Sequence, residues 1–158
     1  MSSPEVGPSI GLRAHGIQAG YPAVDIQATL LDLRPDLRLV NGYSPVENMI
    51  FTLCHEVTRD DARRTSVPVG RPLAGKTAVL LGPDLRPVAA GETGEIYMSG
   101  GLAHGYLKQP GLTAQRFVAD PSRPGARMYR TGDMGRLRED GAVHYLGRAD
   151  DQVKIRGF

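Results

Sequence analysis

The sequence predicts an α+β chain that is mainly β. Its 20 glycines and 12 prolines are spread along all 158 residues, so they punctuate short segments as in a turn-rich β domain. One long run has the helical period, with Ala23, Ile26, Leu30 and Leu33 at i, i+3, i+7 and i+10. From residue 77 onward the apolar residues fall in short runs of strand length.

Residues 1–20 show no clear period and read as loop. The helix is expected over Ala23–Leu33, because Pro22 suits a first helical position and Pro35 ends the run. Leu37–Val40 reads as a short buried strand. It delivers Asn41-Gly42-Tyr43-Ser44-Pro45 as a turn at its C-terminal end, where α/β proteins present ligand-binding groups. Thr77–Leu81 is an apolar, partly β-branched strand, Gly82-Pro83-Asp84 a turn, and Gly94–Ser99 a second strand. Leu112–Val118 is a short helix candidate with Thr113 as N-cap. Met128–Thr131, Met134–Leu137 and Ala142–Leu146 read as three short strands, the last two joined by Arg138–Gly141, whose Asp-Gly favours a hairpin. Gln152–Ile155 reads as a final strand. The string L-x-P-D-L-R occurs at Leu33–Arg38 and Leu81–Arg86 in different contexts, a coincidence rather than a repeat.

Composition excludes several functional classes. A net charge of +2, from 19 basic and 17 acidic residues, makes no electrostatic case for a nucleic acid or a membrane surface. A single cysteine, Cys54, rules out an internal disulfide framework and a cysteine-based zinc site, and fits a cytoplasmic setting. The first residues have neither the basic nor the apolar region of a signal peptide, and nothing approaches the roughly 18 apolar residues that span a bilayer.

Three clusters carry candidate chemistry. Asn41–Glu47 brings an aromatic ring, an amide and a carboxylate close together; Tyr129-Arg130-Thr131-Gly132-Asp133 places a carboxylate on a glycine-opened turn; and Gly147–Gly157 is a dense run of acidic and basic residues around one strand. A nucleotide site needs such parts: a flat face for the base, a carboxylate to accept two ribose hydroxyls, cations for phosphates and an acid for a metal. Taken singly, each has an ordinary structural reading, since Gly and Asp are default turn residues.

Together, in this order, the clusters resemble the amino-acid adenylation domains of non-ribosomal peptide synthetases, members of the adenylate-forming enzyme superfamily. NGYSPVEN is similar to N-x-Y-G-P-T-E, GEIYMSGGLAHGYL to G-E-L-x-(I/V)-x-G-x-G-(L/V)-A-R-G-Y-L, YRTGDM to Y-R-T-G-D-L, and GRADDQVKIRGF to G-R-x-D-x-Q-V-K-I-R-G-x. The linking segments VPVGRPLAG, LRPVAAGETGE and LTAQRFVADP match as well, so the likeness runs from about Arg34 to Phe158. It implies a distorted β-barrel subdomain of the large adenylation domain over residues 37–149. A remnant of the preceding α/β subdomain, a helix–strand piece, is expected over 1–36, and the hinge with the first strand of the small domain over 150–158. It also implies roles. Tyr43 stacks on adenine, Asp133 accepts the ribose hydroxyls, Arg148 contacts the nucleotide, and Asn41 and Ser44 belong to the same nucleotide loop. Glu47 lies near the Mg²⁺ of Mg·ATP, Gly42, Ile50 and Phe51 line the amino-acid pocket, and Asp150 is the hinge. The implied partners are ATP with Mg²⁺, an amino acid, the remainder of the adenylation domain, and a peptidyl carrier protein bearing phosphopantetheine.

The sequence departs from the family pattern at several positions. Ser44 stands where Gly is usual, and a Cβ there would cost about 1 kcal/mol at positive φ. Val46 replaces Thr, His104 replaces Arg, and the Gly100-Gly101 loop is one residue short. The upstream G-G-E stretch has no clear match in Gly11–Val24, and neither the S-G-T-T-G-x-P-K-G phosphate loop nor the small-domain lysine occurs in these residues. A positioned cation of that kind contributes orders of magnitude in rate, so the expectation is a chain inactive alone, with no catalytic residue of its own. The alternative is a non-catalytic remnant or binding module derived from such a domain.

Overall fold

A computed structural model describes residues 23–49, 51–64 and 66–149. Ile50, Asp150 and the strand expected over Gln152–Ile155 lie outside the described residues, as do Pro22 and the loop before it. The elements are helix α1 (Ala23–Leu33), strands β1 (Val40–Tyr43), β2 (Leu53–Glu56), β3 (Arg71–Pro72), β4 (Thr77–Leu81) and β5 (Thr93–Ser99), helix α2 (Pro110–Arg116), and strands β6 (Phe117–Ala119), β7 (Arg127–Leu137) and β8 (Val143–Arg148). Short 3₁₀ turns occupy Val46–Asn48 and Asp61–Arg63. No helix among the described residues is long and apolar enough to cross a membrane.

Every strand pairing is antiparallel. β1, β2 and β3 form one small sheet; β4, β5, β7 and β6 form a larger one in that order, with β8 also on β7. A bridge between Gly70 and Val143 ties the two together, and the result is a mostly β body curled into a half-barrel. Its interior holds Leu53 from β2, Val69, Leu80 from β4, Ile96 and Met98 from β5, and Val143 from β8. Successive residues of a strand face opposite sides, so Tyr97, between Ile96 and Met98, packs outward with Leu81 and Met128. Both faces of β5 are therefore covered. A third cluster of Leu31, Leu39, Val57, Ala62 and Val67 seats α1.

Helix α1, β4, β5 and the β7–β8 hairpin stand where the sequence places them, the hairpin closed by Arg138 N–H to Ala142 O at 2.9 Å. Five expectations need correction. The strand expected over Leu37–Val40 begins at Val40 instead, and Asn41-Gly42-Tyr43 is extended, not a turn, in register with His55, Cys54 and Leu53. The Asn-Gly turn preference yields to ladder bonds and to the Asn41 amide, which donates to Pro68 O at 2.7 Å; the turn starts at Ser44. Strands β2 and β3 were not expected at all. The second helix starts earlier, with Gln109 as N-cap and Pro110 in the first turn. Thr113 is therefore inside it, with its hydroxyl on Gln109 O at 2.9 Å, and Phe117–Ala119 turns back into strand. The two segments around Gly132 are one continuous strand. Finally, α1 buries Leu31 with Ala28 beside it, while Leu30 is 39% and Leu33 72% exposed.

Candidate nucleotide site

Asp133 is the centre of the best-defined polar cluster. It follows Gly132, whose φ of +76° suits glycine and strains any residue with a Cβ. The chain does not reverse there. Between the pairs Tyr97↔Arg130 and Glu95↔Met134, a single β5 residue opposes three on β7, so Thr131-Gly132-Asp133 bulges from the ladder. The bulge is held by side chains: the Thr131 hydroxyl donates to Ile96 O at 2.7 Å and accepts Asp133 N–H at 2.9 Å.

Three donors converge on the Asp133 carboxylate. The Tyr43 hydroxyl, from the end of β1, donates to Oδ2. Arg148, directly opposite on β8, donates to Oδ1 at 3.3 Å and to Thr131 O at 3.2 Å. The Tyr145 hydroxyl reaches Oδ1 at 3.5 Å. Burial, then the Asp133 charge, push the Tyr43 phenol well above its ordinary range, so it stays a neutral donor. The rings of Tyr43 and Tyr145 lie 6.2 Å apart, tilted by 37°. A carboxylate offers about four lone-pair sites. A vicinal diol therefore finds one free, and gains a second by displacing the weak Tyr145 contact.

Glu47 sits apart from that corner, in the 3₁₀ turn after β1. Tyr106 donates to its Oε1 at 2.7 Å, and Ala103 N–H donates to its backbone carbonyl at 2.8 Å. Tyr106 packs edge-on against Phe117, and Phe117 against Tyr129. The Lys76 ammonium donates to Asn48 O at 2.8 Å and Oδ1 at 3.2 Å, pinning the turn from below. Among the described residues no group of three or more His, Cys, Asp or Glu could hold a metal. A lone carboxylate still fits Mg²⁺ that arrives on a nucleotide, since that ion takes one or two carboxylates plus substrate phosphates.

The other sequence-selected residues lie along β1 and the segment that follows it. The Phe51 ring lies across Gly42, where a Cβ would stand 2.7 Å from the ring. Asn41 is buried and directed at Pro68, not at Asp133. Ser44 is exposed and is not among the positive-φ residues, so its Cβ carries no such strain. The structure thus gathers Tyr43, Asp133 and Arg148, and holds Glu47, Asn41, Gly42, Ser44 and Phe51 along the same β1 connection.

Sequence reasoning missed Tyr145, Tyr106 and Lys76. Tyr145 and Arg148 are three apart, which strict alternation puts on opposite faces. The β7–β8 register slips between Met134↔Gly147 and Gly135↔Tyr145, leaving Leu146 as an extra residue. That bulge returns both side chains to one face, and no local signal announces it.

Comparison with known proteins is consistent with this geometry. Residues 10–107 match the model of the AMP-binding enzyme family. Malpinin synthetase of Mortierella alpina is 48% identical over 131 residues, which are 80% of this chain but 2% of that protein. Vanchrobactin synthetase VabF of Vibrio anguillarum is 46% identical over 125 residues, 78% of this chain and 4% of that one. Among solved structures, PA1221, an NRPS protein containing adenylation and PCP domains, superposes with a TM-score of 0.79 at 41% identity, covering 85% of this chain and 28% of that chain. The chain belongs to the AMP-binding enzyme family, among the adenylation domains of non-ribosomal peptide synthetases.

Proposed function

We propose that this chain supplies the adenine and ribose side, and one wall of the amino-acid pocket, of a site that activates an amino acid with Mg·ATP. In that reaction an amino-acid carboxylate oxygen bonds to the α-phosphorus, the bond to pyrophosphate breaks, and aminoacyl-AMP forms. The thiol sulfur of phosphopantetheine on a peptidyl carrier protein then bonds to the acyl carbon, the acyl–phosphate bond breaks, and AMP and the thiol proton leave, in the cytoplasm. The Tyr43 ring offers the flat face for adenine. Asp133 accepts the two ribose hydroxyls, with Arg148 holding the carboxylate in line. Gly42, Phe51 and Ile50 shape the amino-acid pocket, and Asp150 is the hinge to a small domain. Glu47 would hold Mg²⁺, which when bound neutralises phosphate charge. The phosphate-loop and lysine patterns are not in these residues, so the chain alone should give no amino-acid-dependent pyrophosphate exchange.

The convergence of Tyr43, Tyr145 and Arg148 on one buried carboxylate carries this reading. Calorimetric titration of the chain with ATP tests it. Asp133→Asn keeps the shape and removes the charge. A charge-assisted hydrogen bond contributes about 1.5–3 kcal/mol, so the variant should bind at least about tenfold more weakly. Equal affinity of the two proteins would make Asp133 a structural residue only.

A further inference from the structure

On the β5 side the Thr131–Asp133 bulge interrupts the ladder, and side chains take up two of its amides while Gly132 O keeps a backbone partner toward β8. Asp133 N–H takes the Thr131 hydroxyl at 2.9 Å, and Gly132 O takes Ala149 N–H at 2.8 Å. Gly132 N–H takes the Glu95 carboxylate, Oε1, at 3.1 Å. Glu95 is on β5, across the sheet from the Tyr43 corner, and its side chain is 13% exposed. It is held in turn by Arg130, whose Nε donates to Oε1 at 2.9 Å and Oε2 at 3.1 Å. Glu95 is the residue after which the β5–β7 register slips.

We propose that Glu95 is a positioning residue for Asp133. Its carboxylate stands in for the missing ladder acceptor and fixes the Gly132 peptide plane. Because Gly132 is at φ +76°, a conformation glycine leaves as easily as it enters, nothing intrinsic to the residue would hold that plane. The next residue is Asp133, so rotation of the Gly132 peptide swings the carboxylate away from Arg148 and Tyr43. Glu95 makes no contact with the Asp133 side chain and none is required of it with the nucleotide. The Thr131 hydroxyl fixes one side of the bulge and Glu95 the other. The inference rests on reading Asp133 as the acceptor of ribose hydroxyls.

The test is the ratio of affinities for ATP and 2′,3′-dideoxy-ATP, measured by titration on the whole chain. That ratio isolates the hydroxyl contacts from adenine and phosphate contacts. The wild type should prefer ATP by about tenfold or more, as one charge-assisted bond implies, and Asp133→Asn should bring the ratio close to one. Glu95→Leu removes the acceptor. It should drop the ratio toward that of Asp133→Asn while affinity for the dideoxy nucleotide stays at the wild-type level. Glu95→Gln retains an amide oxygen for Gly132 N–H and should keep most of the preference, although it loses the pair with Arg130. A folded Glu95→Leu with the wild-type ratio overturns the inference, whatever its melting temperature. Where Glu95→Leu fails to fold, Glu95→Asp withdraws the oxygen by one methylene. An intermediate ratio then supports the inference and an unchanged ratio overturns it. A wild type without preference, or an Asp133→Asn that keeps it, overturns instead the reading of Asp133 and the inference with it.

Discussion

The carboxylate corner and the wall where Phe51 lies across Gly42 both adjoin β1 yet satisfy their polar atoms differently. At the corner, Asp133 has three donors, the Thr131 hydroxyl makes two bonds, and the Gly132 amide meets Glu95. Along the wall, Asn41 Oδ1, Asn48 Nδ2 and Thr52 Oγ1 are buried with no hydrogen-bond partner. A buried polar atom without a partner costs about 1–3 kcal/mol. The corner is thus completed by contacts within the chain. The wall instead carries the desolvation cost of three polar atoms that the chain itself covers. The corner is therefore internally wired, and the wall is not.

The same substitution on both sides gives the largest contrast. Thr131→Val removes two hydrogen bonds and leaves Ile96 O, in the barrel core, without its donor. The expected loss is roughly 2–4 kcal/mol in urea denaturation. Thr52→Val removes only an unpartnered hydroxyl from a fully buried position, so stability should hold or rise by up to about 1 kcal/mol. Equal losses at the two sites would mean that Thr52 has a partner and that the contrast is false.

The corner was also the more legible side. Tyr43, Asp133 and Arg148 stand in short motifs that resemble the family's, and the structure brings the three side chains together. β4, β5 and the β7–β8 hairpin were legible locally, as apolar or alternating runs with an Asp-Gly turn. What was not legible depends on distant partners. β2 is four residues of mixed character and β3 is two, one of them proline; β2 exists because β1 supplies a ladder, and β3 because β2 does. Gly132 reads as a turn because the groups that hold its bulge in the strand are side chains, the Glu95 carboxylate on the Gly132 amide and the Thr131 hydroxyl on the Asp133 amide. Tyr145 faces the site because Leu146 is an extra residue in its ladder. Tertiary contacts override local preference at each of these places.

The small sheet is not loosely built throughout, and acid can show where it is wired. Asp61, behind β2, accepts the Thr58 amide at 3.1 Å and hydroxyl at 2.7 Å, and pairs with His55 Nε2 at 2.8 Å. Burial by itself would raise its pKa, but the bonds from Thr58 and His55 outweigh that and hold it at about 2, below its ordinary 3.8. A depressed carboxylate contributes stability that is complete above its unfolded pKa and is lost as pH falls through the folded one. The expected loss is roughly 2 kcal/mol between about pH 4 and pH 2. Asp61→Asn should be less stable than wild type at neutral pH and converge with it near pH 2. Parallel acid profiles would show that Asp61 does not anchor the sheet.

Steric coupling within the wall should be somewhat weaker. Gly42→Ala places a methyl 2.7 Å from the Phe51 ring, and overpacking of that kind costs about 1–3 kcal/mol. The ring sits on a loop and can move, so the lower half of that range is expected. Phe51→Leu in the same chain should restore most of it, and the double-mutant cycle gives the coupling directly. Additive effects of the two substitutions would separate Phe51 from Gly42 and remove the reason for a glycine there.

The smallest effect belongs to helix α1, where the apolar period misled about which face is inside. Leu30 and Leu33 are three residues apart and share one face, but Leu33 is 72% exposed. Leu31, one residue and about 100° further round, packs with Leu39, Val57, Ala62 and Val67. Leu33→Gln exchanges an exposed apolar side chain for an exposed polar one of similar helix propensity. It should change unfolding free energy by no more than about 0.5 kcal/mol, as surface substitutions do. Leu31→Ala, in contrast, opens a cavity in a packed cluster. The comparison discriminates because both residues are leucine on the same helix, so propensity and hydrophobicity are matched and only the covering differs. A loss above about 1.5 kcal/mol for Leu33→Gln would show that this face is covered in solution. Repeating the melt over a hundredfold range of concentration would then decide by what: a midpoint that rises with concentration identifies a second copy of the chain, and a constant one places the cover within the same molecule.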